Sequence, residues 1–153
     1  MTRPLTASAL IVSVLTGSCA TAHQLAPETR APAMVIVDQN DVISEEAPPH
    51  GQIGMSTAYR ISDVAPDRTM EFRIRSLHPG AAIGEHIIRH DEVYYVVSGA
   101  GVVVSDGEEA ELTTGMTAYL YDGANVGITQ RGDEPLTLII AYPLPGHDRL
   151  AGD

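Results

Sequence analysis

The 153-residue sequence has one cysteine, one phenylalanine and no tryptophan, and lysine is absent, so that all nine basic residues are arginine. A single cysteine cannot close a disulfide within the chain, which leaves stability to a packed core. Twenty acidic residues against nine basic ones give a net charge of −11, with no arginine-rich cluster. Phosphate recognition needs a concentrated positive field, so nucleic acid is excluded as a partner. The same sign repels an anionic membrane surface. No Gly-x-Ser-x-Gly elbow, phosphate loop or dinucleotide fingerprint occurs, and no apolar run is long enough to span a bilayer.

What is present begins with an export signal over residues 1–22. Arg3 supplies a positive start, Ala9 to Leu15 an apolar stretch, and Ala20-Thr21-Ala22 a small-x-small cleavage site. The expected localisation is the bacterial periplasm or the outside of the cell. Leu15-Thr16-Gly17-Ser18-Cys19 offers the alternative of lipidation at Cys19, although Leu15 stands one position too far from the cysteine for the usual pattern. Cleavage after Ala22 removes the cysteine altogether. It also makes His23 the first residue, whose amine and imidazole together are a copper-chelating pair. Residues 23–33, with Pro27 and Pro32 among small and polar side chains, read as a flexible leader.

Residues 34–150 read as one all-β domain of short strands separated by turns. Met34 to Val37 is an expected first strand, and a weaker one lies around Met55 to Ile61. Met70 to Arg75 alternates apolar and charged residues at period two, which predicts Met70, Phe72 and Ile74 buried. Arg73 and Arg75 then face the other way, as part of a solvated face or, alternatively, as a carboxylate-binding pair. Asp106-Gly107 between two strand-like runs marks a hairpin. Further strands follow from Gly115 to Tyr121 and from Leu136 to Tyr142.

Pro79-Gly80, His86, Glu92 and Gly99 fall at intervals that resemble the first motif of the cupin superfamily: Gly, five residues, His-x-His, three or four residues, Glu, six residues, Gly. The second motif aligns with Gly115, Tyr121, Gly123, Val126 and Gln130, of which only the two glycines match. The resemblance implies a double-stranded β-helix, or jelly-roll, barrel. It also implies a small molecule held in the barrel and a homodimer.

In metal-binding cupins the two histidines and the glutamate of the first motif join a histidine of the second to hold Fe, Mn, Ni, Cu or Zn. Here Ile88 and Val126 occupy two of those positions, so His86 and Glu92 remain. Two readings stay open. Either the pair is hydrogen-bonded in a metal-free interior, or His90, in the intervening turn, completes a two-histidine, one-carboxylate triad for a divalent transition metal. Tyr94 shares the strand parity of Glu92 and is a candidate ligand contact and, in the enzyme reading, a proton donor. Tyr119 and Tyr121 are further candidate ligand contacts. The expectations are therefore a small-molecule binder with a degenerate metal site, a metal-dependent enzyme using His86, His90 and Glu92, or a structural module with a filled barrel.

Overall fold

A computed structural model of the chain describes residues 32–145. The export signal, Cys19, His23 and most of the leader lie outside the described residues. Ten strands follow in order: β1 (Ile43–Glu46), β2 (Ser56–Tyr59), β3 (Met70–Leu77), β4 (Ala82–Ile87), β5 (Glu92–Ser98), β6 (Ala100–Ser105), β7 (Glu108–Thr113), β8 (Thr117–Leu120), β9 (Asn125–Arg131) and β10 (Leu136–Pro143). Single 3-10 turns at Gln39–Val42 and Ile61–Val64 are the helical elements among the described residues, and no helix there is long and apolar enough to cross a membrane. Met34 to Val37, expected as a strand, has no strand partner among the described residues, and Met34, Val35 and Ile36 are exposed. Its β-branched residues favour an extended chain, but a strand needs a partner, and β1 forms the edge of its sheet without it.

The strands pair antiparallel into a six-stranded sheet, ordered β1-β2-β3-β10-β5-β8, and a four-stranded sheet, ordered β4-β9-β6-β7. This is the jelly-roll barrel that the resemblance implies. Asp106 and Gly107, both at positive φ, turn β6 into β7, as the Asp-Gly signal requires. The inward residues of both sheets meet in one apolar core that includes Leu77, Val96, Val126, Ile128, Leu136 and Leu138.

The expected burial of β3 is overturned. Glu71, Arg75 and Leu77 are buried, whereas Met70 is exposed and Phe72 and Ile74 are only half-buried. The registers explain the inversion. Arg73 lies opposite Ile140 and Arg75 opposite Leu138, and both partners belong to the core face of β10. Ile74 instead lies opposite Ile139, which lies opposite Tyr95, so these three share the outer face. The apolar members of the β3 alternation pack across strands on the outside, and the charged members point into the barrel.

Candidate functional site

The interior of the barrel holds a cavity of about 460 Å³ whose walls come from β3, β4, β5 and β10 and from the loop before β2. Its size falls in the range typical of small-molecule sites, about 300–1,000 Å³. Its lining mixes apolar side chains, among them Ile83, Ile88 and Ile140, with the polar groups of Arg73, Arg75, His90, Glu92 and Tyr94, and His50 and His86 also line the space.

Arginines reach this interior because a charge network supports them. Arg75 is 1% exposed; its guanidinium donates to Glu46 Oε1 at 2.7 Å and to Ser56 Oγ at 2.6 Å. Glu46 also receives Arg60 at 2.8 Å. Burial alone would push the Glu46 carboxyl up, but the hydrogen bonds from Arg60 and Arg75 outweigh it and hold that carboxyl below its ordinary value. Arg73 donates from Nε to Glu71 Oε1 at 3.0 Å and from Nη2 to the Tyr142 hydroxyl at 2.9 Å. Glu71 is also 3.5 Å from Arg68, which pairs with Asp63 at 2.7 Å. Two contiguous networks, Arg60–Glu46–Arg75 and Asp63–Arg68–Glu71–Arg73, thus stand behind the cavity wall.

Glu92 and Tyr94 both face inward, at 6% and 1% exposure, as their shared parity predicts. Burial pushes the Glu92 carboxyl up to about 7, against a smaller opposing pull from Arg73. Burial, with Glu92 beside it, also pushes the Tyr94 phenol far above its ordinary value, so the hydroxyl keeps its proton. His90 stacks on Tyr142 with ring centroids 4.2 Å apart, and its Nε2 lies 3.5 Å from Glu92 Oε2. Burial is the main cause that keeps the His90 imidazole below its usual titration range.

His86 is held elsewhere in the cavity. Its ring stacks on His50 at 3.5 Å, and its Nδ1 is 2.9 Å from the Gly84 carbonyl oxygen. That distance makes Nδ1 the protonated nitrogen, because a carbonyl oxygen can only accept. His50 arrives on the Pro48-Pro49-His50-Gly51 turn, which packs so closely on β4 that a Cβ at Gly84 would overlap the His50 carbonyl oxygen. Only glycine fits there. His50 was missed from the sequence, where that segment reads only as turn punctuation; no spacing ties it to the motif, and tertiary packing alone brings it in.

Tyr119 and Tyr121 are not among the residues lining the cavity. They are 53% and 69% exposed and pack on each other at 5.1 Å, with the Tyr119 hydroxyl donating to Asp91 at 2.6 Å. In β8 it is Ala118 and Leu120 that meet the core, and alternation turns Tyr119 outward.

The donors present do not fit the metal that the fold implies. Ile88 and Val126, at 2% and 0% exposure, are packed into the apolar core. His86 stacks on His50, while His90 approaches Glu92. Among the described residues no group of three or more His, Cys, Asp or Glu side chains is placed to hold a metal ion.

The cupin domain family model matches residues 73–142. Similar solved structures include a predicted oxalate decarboxylase from Thermotoga maritima, at 19% identity and a TM-score of 0.64, with 72% of this chain and 99% of that chain covered. An RmlC-like cupin from Shewanella frigidimarina is 20% identical with a TM-score of 0.56, over 71% of this chain and 91% of that one. The polyketide cyclase RemF from Streptomyces resistomycificus is 16% identical with a TM-score of 0.63, over 72% of this chain and 79% of that one. No curated protein matches the sequence. At these identities the structural likeness speaks for the fold alone, and the solved neighbours range in description from decarboxylase to cyclase. The matched family model, the motif glycines at their intervals and the two-sheet barrel agree: the chain belongs to the cupin superfamily.

Proposed function

We infer that this cupin binds a small molecule in its barrel and does so without a resident metal. The observation that carries the reading is the cavity of about 460 Å³ inside a barrel whose second and fourth family ligand positions are Ile88 and Val126. A filled barrel, as a purely structural module would have, leaves no such space. Apolar walls with a few convergent polar groups are the general form of a ligand site. The experiment is native mass spectrometry of protein purified from its own cell envelope, set beside elemental analysis of the same sample. A non-covalent adduct without stoichiometric metal is the expected result. Stoichiometric transition metal overturns the metal-free reading and favours an enzyme.

The reading includes export, supported by the Arg3, Ala9–Leu15 and Ala20-Thr21-Ala22 pattern, with cleavage after Ala22. It also includes a homodimer formed through the outer face of the larger sheet. The outward residues of the three central strands, including Phe72, Ile74, Ile139, Val93 and Tyr95, carry no charge. In a chain with a net charge of −11, two copies meet at least electrostatic cost on such a face.

A further inference from the structure

Two residues at the cavity each carry a buried polar atom without a hydrogen-bond partner among the described residues: Arg75 Nε and His90 Nε2. Both residues line the same space. A buried guanidinium N–H left unpaired is costly, since it forfeits its water without replacement, and native interiors rarely carry one without a reason. The rest of that guanidinium is committed to Glu46 and Ser56, so Nε is the edge left over.

Charge points the same way. Arg60, Arg68, Arg73 and Arg75 share three carboxylates, those of Glu46, Asp63 and Glu71, which leaves an excess of one positive charge. Arg73 and Arg75 line the cavity, while Glu46 and Glu71 stand behind them and do not. A chain that is acidic overall has placed three of its nine arginines, Arg73, Arg75 and Arg89, on the lining of one space. Glu92 is the one acid on the lining, and burial that raises it to about 7 keeps it from being a fixed negative charge there.

We propose that the ligand of this cavity is a small organic carboxylate whose anionic end is received by Arg73 and Arg75, with His90 as a further polar contact. This rests on the reading that the barrel binds a small molecule and names the class. The apolar part of the lining, which includes Ile83, Ile88 and Ile140, favours an apolar body for the ligand, which separates it from an inorganic anion. Arg73 and Arg75 belong to β3, outside the residues that carry the metal in this fold, so the site is built on different side chains from the family's own.

The test uses matched probes on the intact mature protein by titration calorimetry: benzoate and hexanoate, their neutral amides, and inorganic phosphate. Each carboxylate is expected to bind at least about tenfold tighter than its amide, the scale of a charged hydrogen bond inside a protein. In Arg73→Gln that preference is expected to fall toward unity. Arg73 is partly exposed, so this variant is chosen over one at the buried Arg75; a circular-dichroism melt confirms its fold, and Arg73→Lys is expected to restore part of the preference. Amides that bind as well as carboxylates overturn the anion class and leave the small-molecule reading standing. Phosphate binding as tightly as benzoate overturns the apolar body. Binding by neither series overturns both readings.

Discussion

His86 lies directly opposite Val126 in the β4–β9 ladder, with Val126 fully buried. The position at which metal-binding cupins carry their last histidine therefore faces the barrel interior here, across one strand from the first. Two of the four positions that carry ligands in metal-binding cupins, those of Ile88 and Val126, are apolar and packed in the core here.

Ile88→His together with Val126→His is accordingly expected to create metal affinity. The double variant should retain Mn, Fe or Ni near one equivalent after dialysis, where the parent retains much less. Elemental analysis of both proteins purified side by side reads the result. A folded double variant that gains no metal shows that the cavity cannot bring the new imidazoles to His86 and Glu92.

Glu92→Gln is expected to stabilise the protein in a pH-dependent way. The folded carboxyl titrates at about 7, above its ordinary 4.5. Below the unfolded value both states are protonated and wild type and variant are equally stable. Between about pH 4.5 and 7 the unfolded state releases the proton first, so the wild type loses stability as pH rises, and above 7 the loss is complete. Its size is roughly 3 kcal/mol from a shift of this magnitude. Urea midpoints at several pH values should show the gap between variant and wild type open across that window and then stay flat. A variant less stable than wild type at pH 8 would mean that the charged form has a partner, such as a metal.

Tyr95→Arg, on the outer face at 40% exposure, is expected to leave the fold intact and abolish self-association. Two copies would then bring like charges together on an apolar interface. Sedimentation velocity at micromolar concentration should give a dimer for wild type and a monomer for the variant. A wild-type monomer sinks the proposed interface.

Protein recovered from the cell envelope is expected to begin at His23. Its intact mass should correspond to residues 23–153 without addition. A mass carrying acyl chains on Cys19 would replace cleavage after Ala22 with lipid anchoring.

Much of the barrel was legible because cupin spacing and strand parity are local properties. Glu92 and Tyr94 stand two apart on one strand, and both point inward as expected. Asp106-Gly107 makes its hairpin for a reason contained in two residues. What was not legible depends on partners far along the chain. The β3 alternation defines two faces and cannot say which is inside; that is settled by Leu138 and Ile140 of β10 and by Glu46 of β1, the latter 29 positions from Arg75. His50 enters the site only because Gly84 lets a distant turn settle on β4. Tyr119 was readable in principle, since Ala118 and Leu120 already claim the inward parity of β8.

The inverted β3 has a consequence for how the chain finds its native register. A slip of one residue would exchange its faces, burying Phe72 and Ile74 and returning Glu71, Arg73 and Arg75 to water. Hydrophobic burial alone favours that misfolded pairing. The contacts that oppose it are polar and highly directional: Arg75 with Glu46 and Ser56, Arg73 with Glu71 and Tyr142. Burying ions contributes little net stability when weighed against well-packed apolar residues, yet a mismatched buried ion is severely penalised. The network therefore acts as a proofreading device, rejecting an alternative strand alignment that greasy side chains would accept, and the same arginines that face the cavity keep the barrel from closing in the wrong frame.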